Sequence, residues 1–333
     1  MRKLFTVLFA MGIMMSGLMT AAAQDVPSAV ATGFDTPATW IDERGNEVAT
    51  VEVTGIESDW DGYSEYSRPE RGYMYVAVSY SVTNISGASM IVEPYDFSLL
   101  DVYGRNNGSA YVSLADDATD EIFEDDRALA ADEVAELTQI FQIPADVAPA
   151  ALMWQPDSGM LVMVDISEGS IENSALANGL NAPATWTDDR GNPVATFEVT
   201  GITSDWQDYD EFYEPERGMV YVALDIKVTN VSDSSLIVEP YDFSLMDVTG
   251  MNNGRSWAQA AQGVDPLFTD DVPLAAGESY EGTVVFELLA DTQPAVFSWQ
   301  PDSGLLHIVN LSEGSVPTEA TPTEGTPVAT PAS

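Results

Sequence analysis

The sequence predicts an all-β protein made of two tandem antiparallel β-sandwiches. Three observations lead there: a duplication that spans most of the chain, period-two alternation of apolar residues within each copy, and the lack of a convincing amphipathic helix.

The duplication organises the chain. Pro37-Ala-Thr-Trp40 recurs as Pro183-Ala-Thr-Trp186, an offset of 146. Arg44-Gly-Asn46 returns as Arg190-Gly-Asn192, and Pro69-Glu-Arg-Gly72 as Pro215-Glu-Arg-Gly218. The nonapeptide IVEPYDFSL, Ile91 to Leu99, recurs unchanged as Ile237 to Leu245. The offset then falls to 145, so repeat 2 has lost one residue between Tyr111 and Ile122, and Trp154-Gln-Pro-Asp-Ser-Gly159 returns as Trp299-Gln-Pro-Asp-Ser-Gly304. The expected division is a signal peptide over 1–23, an N-terminal linker over 24–34 and repeat 1 over 35–170. A linker over 171–180, repeat 2 over 181–315 and a Thr/Pro-rich tail over 316–333 follow. The tail has no apolar periodicity and is expected to be disordered.

Within each repeat the apolar period is two. Val220, Val222, Leu224, Ile226 and Val228 alternate with Tyr221, Ala223, Asp225, Lys227 and Thr229, and Met74, Val76, Val78, Tyr80 and Val82 keep the same phase in repeat 1. Ala49, Val51 and Val53 repeat the pattern earlier, as do Ala195, Phe197 and Val199. Such alternation marks antiparallel strands with one buried face. Further strands read at Asp96–Val102, Ala135–Ile143, Ala151–Trp154 and Met160–Ile166, with Asn106-Asn-Gly108 and Pro156-Asp-Ser-Gly159 as turns. About seven short strands per repeat fit a sandwich, and each repeat is expected to fold alone.

The chain ends and the charge place the protein. Arg2 and Lys3, an apolar run from Leu4 to Met19, and Ala21-Ala-Ala23 read as a secretory signal cleaved before Gln24. The expected location is extracellular or at the cell envelope, with no membrane insertion after cleavage. The sequence has no cysteine, which excludes disulfides and a lipid anchor on cysteine. Arg2 and Lys3 leave with the signal, so 9 basic residues face 54 acidic ones, a net charge of −45. That field repels nucleic acid and anionic lipid and favours cationic or basic partners.

Repeat 2 also carries the series Gly218-Met-Val-Tyr-Val, Val228-Thr-Asn230, Asp242-Phe-Ser-Leu245-Met-Asp247, Leu274-Ala-Ala-Gly277-Glu278 and Gly282-Thr-Val-Val-Phe286. It resembles the telokin-like, immunoglobulin-like domains of bacterial secreted proteins and lipoproteins, a family largely of unknown function that includes antigens. Repeat 1 departs from this pattern near its end, where Asp132 replaces Gly277 and Leu137 replaces Gly282. The resemblance implies an immunoglobulin-like sandwich in each repeat and brings no catalytic residues with it.

No catalytic pattern stands out in the residues themselves. Asp157-Ser-Gly159 and Asp302-Ser-Gly304 follow Gln-Pro rather than an apolar strand, so they read as hairpin turns and not as an aspartic-protease dyad. His307 is the only histidine, and Val162 stands at its place in repeat 1. It reads as an ordinary strand residue. What remains is a duplicated aromatic and acidic loop, Glu57–Tyr66 and Thr203–Tyr213. As a contact surface for a protein or glycan it would use Trp60, Tyr63 and Tyr66 in repeat 1 and Trp206, Tyr209, Phe212 and Tyr213 in repeat 2. As a Ca²⁺ site it would use Asp59, Asp61 and Glu65, and Asp205, Asp208 and Asp210, without the EF-hand spacing. As a lid, Trp60 and Trp206 would pack on the sandwich edge while the acids face water. The function expected is an exported, non-enzymatic binding or surface-interaction module without a cofactor. The alternatives are a Ca²⁺-stabilised structural protein and a hydrolase using loop carboxylates.

Overall fold

The computed structural model describes residues 27–116, 118, 121–157, 160–167, 173–188, 190–301 and 304–312. The expected signal peptide and tail lie outside the described residues, as does most of the Asp157–Gly159 turn. Among the described residues no helix is long and apolar enough to cross a membrane.

Repeat 1 runs β1 (Val30–Thr32), β2 (Ala38–Ile41), β3 (Glu47–Ser58), β4 (Tyr73–Asn84), β5 (Met90–Val92), β6 (Phe97–Asp101), β7 (Asn106–Gly108), β8 (Arg127–Leu129), β9 (Val134–Pro144), β10 (Pro149–Asp157) and β11 (Met160–Asp165). Repeat 2 runs β12 (Leu176–Asn178), β13 (Ala184–Thr187), β14 (Pro193–Thr203), β15 (Met219–Asn230), β16 (Leu236–Val238), β17 (Phe243–Asp247), β18 (Asn252–Gly254), β19 (Val272–Leu274), β20 (Ser279–Leu289), β21 (Pro294–Trp299) and β22 (His307–Asn310). One sheet of repeat 1 has the order β2-β3-β4-β9, the facing one β1-β11-β10-β6-β7, and β5-β8 forms a small ribbon. Repeat 2 copies all three, so the chain is two β-sandwiches.

The long strands follow the period-two pattern. Val51 and Val53 of β3 and Val76, Val78, Tyr80 and Val82 of β4 point into the core of repeat 1, where they meet Phe97, Leu99, Phe141 and Trp154. Phe97 stacks on Trp154 with 5.4 Å between ring centroids. Burying each of these side chains is worth about 1.5–3 kcal/mol. The repeats diverge at one buried polar pair. Tyr80 Oη donates to Gln139 Oε1 (2.7 Å), and Gln139 Nε2 donates to the Pro94 carbonyl (2.6 Å). In repeat 2, Ile226 and Val284 stand at the corresponding places, so both partners change together and no polar atom is stranded.

Three expectations need correction. The segments read as linkers carry β1 and β12, which pair in parallel with β11 and β22. Asn106-Asn-Gly108 is strand β7 against β6, and the turn lies before it at Gly104, whose φ is +84°. Each repeat has eleven strands rather than seven among the described residues. Three-residue strands are too short to show alternation, and backbone hydrogen bonds alone define them.

The repeats pack on each other about a local twofold relation. Val30, Leu100, Met153 and Met163 from repeat 1 join Leu176, Met246, Val296 and Ile308 from repeat 2 in one apolar cluster. The backbone bonds across this contact are reciprocal. Ala29 N donates to Val248 O (2.7 Å) and Ala175 N to Val102 O (2.6 Å), while Leu161 N reaches Gly250 O (3.0 Å) and Leu306 N reaches Gly104 O (2.8 Å). A Cβ at Gly104 would overlap the Leu306 carbonyl, and one at Gly250 the Leu161 carbonyl, so both positions need glycine.

Candidate binding surface

The duplicated loop is a lid over the outer face of the four-stranded sheet. Trp60 is 3% exposed and packs with Tyr75, Ala77, Val112 and Ile140. Trp206 is 7% exposed among Tyr221, Ala223, Ala258 and Val285. Tyr63 and Tyr209 complete the two clusters, each 5.4 Å from the tyrosine of the strand beneath, Tyr75 and Tyr221. Trp60 N donates to Tyr75 O (3.0 Å) and Trp206 N to Tyr221 O (2.8 Å), which fixes the loops. The entry to each loop needs a left-handed residue, and Asp59 (φ +58°) and Asp205 (φ +52°) provide it. Trp60, Tyr63, Trp206 and Tyr209 are therefore packing residues, contrary to the contact role the sequence suggested. Of the expected contacts, Tyr66 and Phe212 are exposed and Tyr213 is half-buried.

Nor do the loop carboxylates converge. Among the described residues no three His, Cys, Asp or Glu side chains group as a metal site, so Asp59, Asp61, Glu65, Asp205, Asp208 and Asp210 do not form the expected cation cage. Two of them serve the loop itself. Asp205 Oδ1 accepts from Gln207 Nε2 (2.6 Å), and Asp210 Oδ1 accepts from Phe212 N (3.0 Å). The rings face the sheet, which turns the acids outward and apart.

His307 opens β22 and is fully buried beside the Trp186 and Trp299 rings. Burial pushes its imidazolium down to about 3, against an opposing pull from the Thr185 backbone. Neither ring nitrogen makes a well-formed hydrogen bond among the described residues. The imidazole acts as a packed ring.

Four more exposed rings lie outside the loops, and they pair at an offset of 146. Tyr95 (80% exposed) matches Tyr241 (57%), and Tyr111 (82%) matches Trp257 (73%). Tyr95 and Tyr241 sit in short 3-10 turns, Pro94–Asp96 and Pro240–Asp242, just before β6 and β17. Tyr111 and Trp257 follow β7 and β18, where residues 109 and 255 bridge to Phe141 and Phe286 of the neighbouring sheet. In repeat 2 the guanidinium of Arg255 lies over both rings, 4.7 Å from the Tyr241 centroid and 5.3 Å from that of Trp257. The two rings are 5.7 Å apart.

A groove of about 780 Å³ runs between the repeats past Tyr95 and Tyr241, with Asn106, Gln155, Asn252 and Gln300 along it. Through Asn252 it joins a second groove of about 620 Å³ that holds Phe212, Arg255, Trp257 and Glu287. Through Asn106 it joins a third of about 540 Å³ beside Tyr111 and Gln142. Asp96 faces the central groove, and its carboxyl is pushed up to about 6, first by burial and then by the charges of Glu93 and Asp126.

The sequence reading missed Tyr95, Tyr111, Tyr241, Arg255 and Trp257. One signal was present. The unchanged nonapeptide contains Ile91 and Tyr95, and Ile237 and Tyr241, all of them exposed, so packing alone does not account for its identity in the two repeats.

Fold and surface together define a tandem all-β sandwich protein with aromatic patches set in an acidic exterior. A family model described as a domain of unknown function, DUF4352, matches residues 193–303, from the start of β14 to a few residues short of β22. No curated protein matches the chain. Two solved structures are similar to parts of it. MPT63, a secreted protein of Mycobacterium tuberculosis, is 18% identical with a TM-score of 0.32, covering 40% of this chain and 94% of its own. The Bacillus subtilis protein ycdA is 15% identical with a TM-score of 0.30, covering 39% of this chain and 38% of its own.

Proposed function

We propose that the protein is an exported, non-enzymatic binding module that touches a protein or glycan through exposed rings duplicated in its two repeats. One observation carries this reading. Tyr66 and Phe212, Tyr95 and Tyr241, and Tyr111 and Trp257 occupy equivalent positions, and all six are exposed. Large rings on a surface are rigid anchors that gain free energy when a partner covers them. Duplication at matched places suits a partner that offers its own contact more than once, with a gain in avidity. Export rests on the leader pattern at residues 1–23, and the acidic exterior favours a basic partner and a salt-sensitive on-rate.

The test is an array of glycans and basic peptides probed with the chain from Gln24 onward. Replacing all six rings by alanine should remove every hit and leave the melting temperature nearly unchanged, because none of the six is buried. Hits that survive the replacement would show that the ligand is held elsewhere.

A further inference from the structure

We propose that repeat 1 docks an arginine side chain from the surface of a partner protein, between Tyr95 and Tyr111, where repeat 2 places its own Arg255. The inference deepens the reading above and rests on it.

Repeat 2 shows what this surface accepts. Arg255 is half-buried, and its guanidinium lies within the distance at which a ring face attracts a cation, for two rings at once. Among the described residues it forms no ion pair with a carboxylate, although Glu214, Glu216 and Glu287 line the same groove. Among the described residues the ion pairs are Arg105–Asp101 and Lys227–Glu198, and Arg255 Nε is buried with no hydrogen-bond partner. The rings themselves hold the guanidinium.

Repeat 1 has the same backbone scaffold without the arginine, and among the described residues Tyr95 and Tyr111 make no ring contact like that of Tyr241 with Trp257. The turns Pro94–Asp96 and Pro240–Asp242 share one sequence, and Ser109 bridges Phe141 as Arg255 bridges Phe286. Position 109 thus has the backbone placement of position 255, but serine is far too short to cover the rings. The exposures record the difference: 80% for Tyr95 against 57% for Tyr241, and 82% for Tyr111 against 73% for Trp257. Among the described residues no cation lies over Tyr95 or Tyr111.

The charge around these rings points the same way. Glu93 and Asp126 stand close enough to Asp96 to oppose its ionisation, so negative charge is concentrated beside Tyr95. An arriving cation would relieve that repulsion. A guanidinium fits better than an ammonium, since it is flat, stacks on rings and is weakly hydrated.

The test follows backbone amide shifts of the chain from Gln24 onward, at physiological salt, during titration with N-acetylargininamide. Saturable shifts are expected at Tyr95 and Gly108–Tyr111. N-acetylcitrullinamide, of the same shape without the charge, should move none of them, and N-acetyllysinamide should act more weakly. Ser109→Arg should place the chain's own guanidinium over the rings and abolish the response. Arg255→Ser should uncover the second pair and add shifts at Tyr241 and Trp257, which keeps the proposal testable if the first variant does not fold. Shifts scattered over the acidic surface, an equal response to lysine, or an undiminished response in folded Ser109→Arg would overturn it. Array hits that depend on the six rings but ignore Ser109→Arg would sink this inference alone, and hits that ignore the six rings would sink the broader reading and this inference with it.

Discussion

Asn84 and Asn230 show how single buried polar residues hold these sandwiches together. Each ends a central strand, and its amide nitrogen lies within hydrogen-bonding reach of three carbonyls, those of Ala88, Leu129 and Ala130 in repeat 1 and of Ser234, Leu274 and Ala275 in repeat 2. Its oxygen accepts from the backbone and hydroxyl of Ser86 or Ser232, so the group is paired on both sides. The repeated Arg-Gly-Asn has a similar cause. Asn46 Nδ2 donates to the Asp42 carboxylate, whose Oδ1 also accepts from Asn46 N and Arg44 N; Asn192 and Arg190 do the same for Asp188, and these bonds, the side-chain one first, hold both carboxyls below their ordinary range. His307 is the residue whose protonation should be visible in stability. Its folded pKa, about 3, lies below the ordinary 6.5, so the neutral ring favours the fold. The stabilisation is fully present above pH 6.5 and is lost as the pH falls toward 3, on the order of 5 kcal/mol across that window. His307→Val, the residue repeat 1 carries at Val162, should flatten that part of the melting curve. Parallel curves for the two proteins would mean that the ring is protonated freely in the folded state.

At the scale of elements, the lid loops make the sharpest prediction. Trp60→Ala and Trp206→Ala should each cost about 3–5 kcal/mol, since they empty small clusters on the outer sheet face. Denaturant melts would read this directly, and a loss below 1 kcal/mol would return the tryptophans to the surface. The long strands were legible because each presents a run of alternating side chains to one core. The clusters under the lids were not, because Tyr75 and Ala77 fall on the nominally outer phase of β4 and are buried by the Trp60 loop together with Val112 and Ile140, which are distant in sequence. Acids around Trp60 and Trp206 made those loops look solvated, yet they face away from the rings. The exposed site was hidden for a different reason. Tyr95 lies in a short turn and Trp257 in a connection between strands, outside any period-two run, and only tertiary placement shows them bare. Arg255 offered no motif at all, since its ring partners come from two separate segments.

For the whole molecule, charge is the dominant feature. Two ion pairs among the described residues leave most of the carboxylates without a cationic neighbour. Self-repulsion at low ionic strength should therefore lower stability, and the melting temperature should rise as monovalent salt screens it. A flat response would show that the carboxylates are already compensated. The reciprocal contact between repeats, with its matched glycines at 104 and 250, has a different consequence. Two separate copies meeting through this face would be obliged to carry identical surfaces, because one gene would write both. Joining them in a single polypeptide removes that obligation. Position 255 can then become arginine and cover its own rings while position 109 stays serine and leaves its pair bare. Covalent fusion thus lets an assembly with the geometry of a homodimer differentiate its halves, one with its rings partly covered and one with them bare.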